Sequence, residues 1–276
     1  MRLTILVTFL LAVATGSTAQ DRERRPSHCF AIAERAPGLE YLQKASWSDP
    51  LEEFTARISY VSHSMFLIQS PEGRSAVTDY SGFLGAVDFA PDAATMNNAH
   101  NTHWTASPDP RIPHVLQGWK DADGVPADHH LEVGDMLIRN VTTDVRAWAA
   151  PADDNNSVFI FEVAGLCVGH LGHLHHALTD AHYTAIGRLD VVMVPVDGGL
   201  TIDTPTVSEI VRRLKSSVVI PMHWFERAGL ETFLSNVSDE FAVERVGGPS
   251  IELSLRSLPS RPTVMVLEPE WLSAPE

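Results

Sequence analysis

A chain of 276 residues has room for one large domain or two small ones, and a hydrophobic fraction of 44% is ample for a sizeable core. The formal net charge of −15 makes nucleic acid and anionic membrane surfaces poor partners, so the acidic surface reads as a source of solubility.

In chain order, Arg2 precedes an apolar run from Leu3 to about Ala14, and the small residues Ser17 and Ala19 follow. This is the pattern of a secretory signal peptide over 1–19 cut after Ala19, which sets the expectation of a periplasmic or secreted protein. The run is too short for a firm membrane span, so an uncleaved anchor is the alternative; no other segment reads as transmembrane. Residues 20–55 read as an arm, charged at its start, with a short helix expected at 39–44. The two cysteines, Cys29 and Cys167, stand either as one disulfide tying this arm to the body or as two buried thiols. Without a CxxC pair, a zinc finger or redox dithiol is a poor fit.

The main domain is expected over 56–276. ARISYVSHSMFLIQS alternates and is rich in β-branched and aromatic residues, which predicts two strands broken near Ser62 and His63. Pro71, Glu72 and Gly73 mark a turn before a third strand in SAVTDY. Residues 90–130 show little periodicity and many Pro, Asp, Asn and His residues, the profile of a functional loop region. Strands resume in MLIRNVTT, VRAWAA, SVFIFEV and LCVGHL, the last two joined at Ala164 and Gly165 like a hairpin. A helix fits 179–186, capped by Thr179 and closed by Gly187. DVVMVPV reads as a buried strand. Thr204 and Pro205 then open a helix with Thr204 as its expected cap, striped by Val207, Ile210, Val211 and Leu214. The strand SVVIPMHW, a short helix near 230–237 and the strands IELSL and TVMVL complete an α/β domain of mixed sheets covered by helices.

Thirteen histidines are present, five of them between positions 170 and 182. Imidazole is the commonest metal ligand, and a metal site gathers ligands from separate segments. His100 and His103 follow one strand region, GHLGHLHH begins at the end of another, and His223 follows a third. His175, His176, His170 and His182 read as surface residues or as partners behind ligands. Trp104 and Trp224 adjoin candidate ligands and suit pocket lining and core equally. No Gly-x-Ser-x-Gly elbow and no phosphate-binding loop occur, and Gly198-Gly199 reads as a turn.

These segments resemble the metallo-β-lactamase superfamily, in particular its lactonase- and phosphodiesterase-like hydrolases. Asn98-Ala99-His100-Asn101-Thr102-His103 fits the frame His-x-His-x-Asp-His, with Asn98 for the first His and Thr102 for the Asp. His170-Leu171-Gly172-His173 is similar to HLGD, with His173 where the family has a carboxylate bridging two metals. IPMH, ending in His223, matches the last ligand, and YVSHSMFLI…AVTDY is similar to the family's opening strands. The resemblance implies a four-layer αβ/βα sandwich with metal at one edge of the two sheets. It also implies a first metal site compromised by Asn98, left with His100 and, by position, Asp153. The second site would have His103, His173 and His223.

Three neutral imidazoles and an open position are the ligand set of a catalytic zinc, which brings the pKa of bound water to about 7. Zinc is the first expectation, with manganese or iron as alternatives. His100 would complete the cage, shuttle a proton or hold a weak second metal. Asp79 would accept a ligand's N–H, and His63 would line the pocket or orient a motif residue. The function expected is hydrolysis of an ester, lactone or phosphodiester in a small molecule. The alternative is a non-catalytic metal- or ligand-binding protein on the same scaffold.

Overall fold

The structure, a computed structural model, describes residues 24–30, 46–146 and 152–274. The expected signal peptide, the helix at 39–44, Trp148 and most of VRAWAA lie outside the described residues. Two sheets face each other. The six-stranded sheet is ordered β13 (Ser250–Leu253), β1 (Ala56–Ser62), β2 (Met65–Gln69), β3 (Ser75–Val77), β4 (Ala93–Met96), β5 (His114–Gln117). The eight-stranded sheet is ordered β12 (Ala242–Arg245), β14 (Thr263–Val266), β11 (Val218–Met222), β10 (Val191–Pro195), β9 (Leu166–His170), β8 (Ala152–Val163), β7 (Met136–Val145), β6 (His130–Val133).

The period of two decides which residue faces which layer. In β10, Val191 and Met193 point into the core between the sheets, while Val192 and Val194 point outward under helices. Both faces are buried, so this parallel strand reads as an unbroken apolar run. The helices α1 (Asp180–Ile186), α2 (Thr204–Leu214) and α3 (Arg227–Val237) contribute Ile186, Val207, Ile210, Val211, Leu230, Phe233 and Val237 to that outer core. On the far side, the outer face of the six-stranded sheet is covered among the described residues by loops carrying Tyr80, Leu84, Ile112 and Leu272. The sandwich therefore has the expected two sheets, with its described helices on one side.

Most expected elements stand where periodicity placed them. The Ala164-Gly165 hairpin joins β8 to β9, and α1 starts at Thr179, whose hydroxyl accepts from His182 N in a capping box. Three points differ. The cap of α2 is Asp203, whose carboxylate accepts from Thr206 N, while Thr204 lies inside the first turn. The region 90–130 holds the short strands β4 and β5, whose four residues are too few to show a period. β6 and β12 were not expected: each has four residues, and in β12 half-buried Ala242 and Glu244 alternate with exposed Val243 and Arg245, which leaves no apolar face to read.

Cys29 and Cys167 are bonded, with Cα atoms 5.9 Å apart. The bridge fastens the segment 24–30 to β9, the first of three parallel strands, β9, β10 and β11, that end at one edge of the sandwich. The loops leaving that edge carry the histidines.

Candidate metal centre

The residues that gather at this edge come from six places. His63 sits in the turn between β1 and β2, Asp79 just past β3, and His103 in the loop after β4. His173 follows β9, Asp197 follows β10, and His223 follows β11 directly. His63, Asp79 and His223 all have left-handed backbones, with φ of 50°, 47° and 59°. Such angles are uncommon outside glycine and concentrate where a site demands a particular side-chain direction.

His103 is the hub. Its Nδ1–H donates to Asp79 Oδ2 at 2.5 Å, and both side chains are wholly buried. The other face of the ring, Nε2, lies 3.2 Å from His223 Nε2 and 2.9 Å from His173 Nδ1. Zinc–nitrogen bonds of about 2.0–2.1 Å in a tetrahedron put nitrogens about 3.3–3.4 Å apart, so each of these two gaps is near that expected between two ligands of one ion. The histidines whose ligand atoms all lie within 4.8 Å of one another are His63, His103 and His223. Behind His223, Asp197 Oδ2 is 2.8 Å from Nδ1, a close contact off the line of a hydrogen bond. Asp197 is itself pinned: Oδ1 accepts from the N–H groups of Gly199, Leu200 and Thr201, and Oδ2 from the Thr201 hydroxyl.

His170 belongs behind the cluster. Its Nε2–H donates to Ser64 O at 2.7 Å, and its Nδ1 accepts from Asn97 Nδ2 and Gly172 N. With both nitrogens committed it holds the loops of its neighbours in place and has no lone pair for a metal. The backbone of Gly172 turns here with φ of 62°, and a Cβ on it would meet Asn97 Nδ2 at 2.1 Å.

Burial dominates the electrostatics. It keeps His63 neutral down to about pH 3 and His173 to about 2, and holds His103 well below its ordinary value; neighbouring imidazoles push the same way. Burial also raises the Asp79 carboxyl. At Asp197 burial opposes ionisation, but His223, Thr201 and the turn N–H groups outweigh it and hold the carboxyl far below its usual range. Neutral rings with free lone pairs are competent ligands, and two carboxylates stand ready to balance a divalent cation. In the absence of a cation, His103 Nε2 has one lone pair to share between two facing nitrogens, and His63 Nε2 is buried without a partner. The residues present therefore fit a divalent metal.

Of the residues singled out in the sequence, His103, His173, His223 and Asp79 come together. His100 is exposed at the rim, its ring stacked on that of His173 at 5.2 Å and its Nδ1 3.1 Å from Thr102 Oγ1. Asp153 does not join them. It is exposed on β8, and among the described residues its carboxylate makes no hydrogen bond or ion pair with any histidine. The adjoining Asp154 stays outside as well, paired with Thr142 and Lys120. Asn98 Nδ2 donates to Asn155 O at 2.6 Å, which uses its amide as loop support. Trp104 packs edge-on against Trp119, and Trp224 lies between two cores, so both are packing residues.

Two participants were missed or undervalued. Asp197 carries no expectation in the sequence, where only the Gly198-Gly199 turn beside it stands out, and nothing nearby marks it as the carboxylate behind His223. His63 is expected to line the pocket or orient a motif residue, yet one nitrogen each from His63, His103 and His223 lie within 4.8 Å of one another.

The family model of the beta-lactamase superfamily domain matches residues 57–223. Solved structures similar to this chain include a Thermotoga maritima protein assigned as a Zn-dependent hydrolase of the metallo-beta-lactamase superfamily, at 26% identity and a TM-score of 0.54, over 77% of this chain and 99% of that one. Igni18, a metallo hydrolase from Ignicoccus hospitalis, shares 16% identity at a TM-score of 0.50, over 67% of this chain and 91% of its own. A protein from Parabacteroides distasonis assigned as a metal-dependent hydrolase shares 11% at a TM-score of 0.54, over 78% and 94%. The last two likenesses bear on the fold alone. Among curated proteins, none matches the chain.

Proposed function

The chain belongs to the beta-lactamase superfamily, and from that premise we propose that it is an exported hydrolase of small molecules carrying an ester, lactone or phosphodiester bond. The observation that carries the reading is the meeting of His103, His173 and His223 from three distant segments, with Asp79 behind the first and Asp197 behind the last. Zinc is the metal favoured, because imidazole suits it and both motif carboxylates that would suit manganese are replaced, by Thr102 and His173. When bound, the metal lowers the pKa of a water molecule and polarises the scissile group.

The chain's own residues do the remaining work. Asp79 fixes the His103 tautomer, so that Nε2 is the free nitrogen. Asp197 lies behind His223, its Oδ2 2.8 Å from Nδ1. His100, exposed and stacked on His173, stands where a proton passes between the site and solvent. Phe225 is 63% exposed, with its ring 5.0 Å from that of His63 and 5.4 Å from that of His223, and forms an apolar wall for the substrate. Export is supported by the signal-like leader and by a disulfide of the kind that persists in oxidising compartments. Mass analysis of the mature chain tests it, with Gln20 expected as the first residue.

A second reading, a metal-binding protein without turnover, is favoured by one observation: among the described residues no carboxylate directly faces the meeting point of the imidazoles, so none of them adjoins it as a general base. Metal analysis with a panel of ester, lactone and phosphodiester substrates separates the two. Stoichiometric metal, with turnover lost in His223→Ala and His173→Ala, supports the enzyme. Metal without turnover on every substrate supports the binding protein.

A further inference from the structure

We infer that His63 is itself a ligand of the metal, supplied by the β1–β2 turn to the same ion as His103 and His223. The inference rests on the reading of the histidine cluster as a metal centre and goes on to say which side chains build it.

The local geometry points one way. A nitrogen of His63 lies within 4.8 Å of ligand atoms on both His103 and His223. His63 Nε2 is buried and has no hydrogen-bond partner, whereas His170 has both its nitrogens engaged. An orphaned imidazole nitrogen beside two others is costly unless something accepts its lone pair or its proton. The His63 ring packs on that of His223 with centroids 4.0 Å apart, and Phe225 covers its outer side.

The turn is built to aim the ring. His63 O accepts from His223 N at 2.9 Å and from the Tyr60 hydroxyl, and the next carbonyl, Ser64 O, accepts from His170 Nε2. Two consecutive carbonyls are thus tied to the cluster, which holds the left-handed backbone of His63 in place. A loop histidine that merely lined a pocket would need none of these ties. The resulting centre draws His63 and His103 from loops of the six-stranded sheet and His223 from the end of β11 in the eight-stranded one, so an ion held by them would join the two sheets at their shared edge.

His63→Asn in the full chain tests this. Asn accepts a left-handed backbone, and its amide is a poor zinc donor. Zinc affinity is read by chelator competition and the coordination sphere by visible absorption of the cobalt(II)-loaded protein. The expected result is an affinity loss at the upper end of, or beyond, the roughly 10–100-fold that loss of an outer partner costs, with an altered cobalt spectrum. His63→Gly, which leaves the backbone free and a space where the ring was, should regain zinc affinity and the cobalt spectrum when imidazole is added. His63→Asn with unchanged affinity and spectrum, beside a His223→Asn that loses metal, overturns this inference alone. A wild-type chain that takes up neither zinc nor cobalt overturns it together with the metal-centre reading.

Discussion

At His103 one nitrogen is held so that the other can be offered. The buried Asp79 carboxylate accepts the hydrogen bond from Nδ1–H, and Nε2 is left facing His173 and His223. Asp79→Asn keeps a residue that tolerates φ of 47° but removes the charge that makes the ring a strong donor. Zinc affinity should fall about 10–100-fold with the fold retained, as read by chelator competition alongside circular dichroism. A second residue-scale expectation concerns the lost first site. Asn98→His restores one motif ligand, but Asp153 stays outside the cluster, so metal content by elemental analysis should remain at one per chain. Two metals per chain would show that His100 and a new partner complete a second site. That His103, His173 and His223 follow strands and come near one another was legible in the sequence, because motif spacing places them. Asp197 was not, since an aspartate ahead of two glycines looks the same whether it closes a turn or also backs a ligand from another strand.

Among the elements, the segment 24–30 has no regular structure beyond a short 3-10 turn (His28–Phe30), yet it is tightly fastened. Ser27 and His28 N donate to Glu162, which also pairs with Arg139 at 3.0 Å, and Cys29 is bonded to Cys167. Burial alone would raise the Glu162 carboxyl; the Ser27 hydroxyl, the Arg139 guanidinium and His28 together pull it below its ordinary value. A depressed carboxyl stabilises the fold above its unfolded pKa and loses that contribution as pH falls through the folded value. Glu162→Gln leaves Arg139 buried without its counter-charge and should cost about 3–5 kcal/mol at pH 7. The gap to wild type should narrow below about pH 4, as followed by urea denaturation across pH. A gap that widens with acid would refute this account. Replacing both cysteines by serine should cost about 2–5 kcal/mol, by the same measurement with the native bridge as reference.

For the molecule as a whole, the histidines lie where the two sheets meet, so an ion held there binds the folded state and has no equivalent site in the unfolded chain. At a free zinc concentration a hundred times its dissociation constant the gain is about 2.7 kcal/mol. Chelation should lower Tm, and added zinc should restore it. An unchanged Tm on chelation would place the ion outside the structure-bearing edge. Strands, helices and hairpins could be read from the chain because alternation, caps and turn residues act over a few neighbours. Asp203, the true cap of α2, was misassigned by a single residue, since Thr204 offers the same kind of oxygen. The loop-covered outer face, the disulfide pairing, the exclusion of Asp153, and the arrival of His63 and Asp197 beside His223 all join residues far apart along the chain. Local pattern carries no information about such encounters; they follow from the register and packing of two sheets and exist only once those sheets have closed on each other.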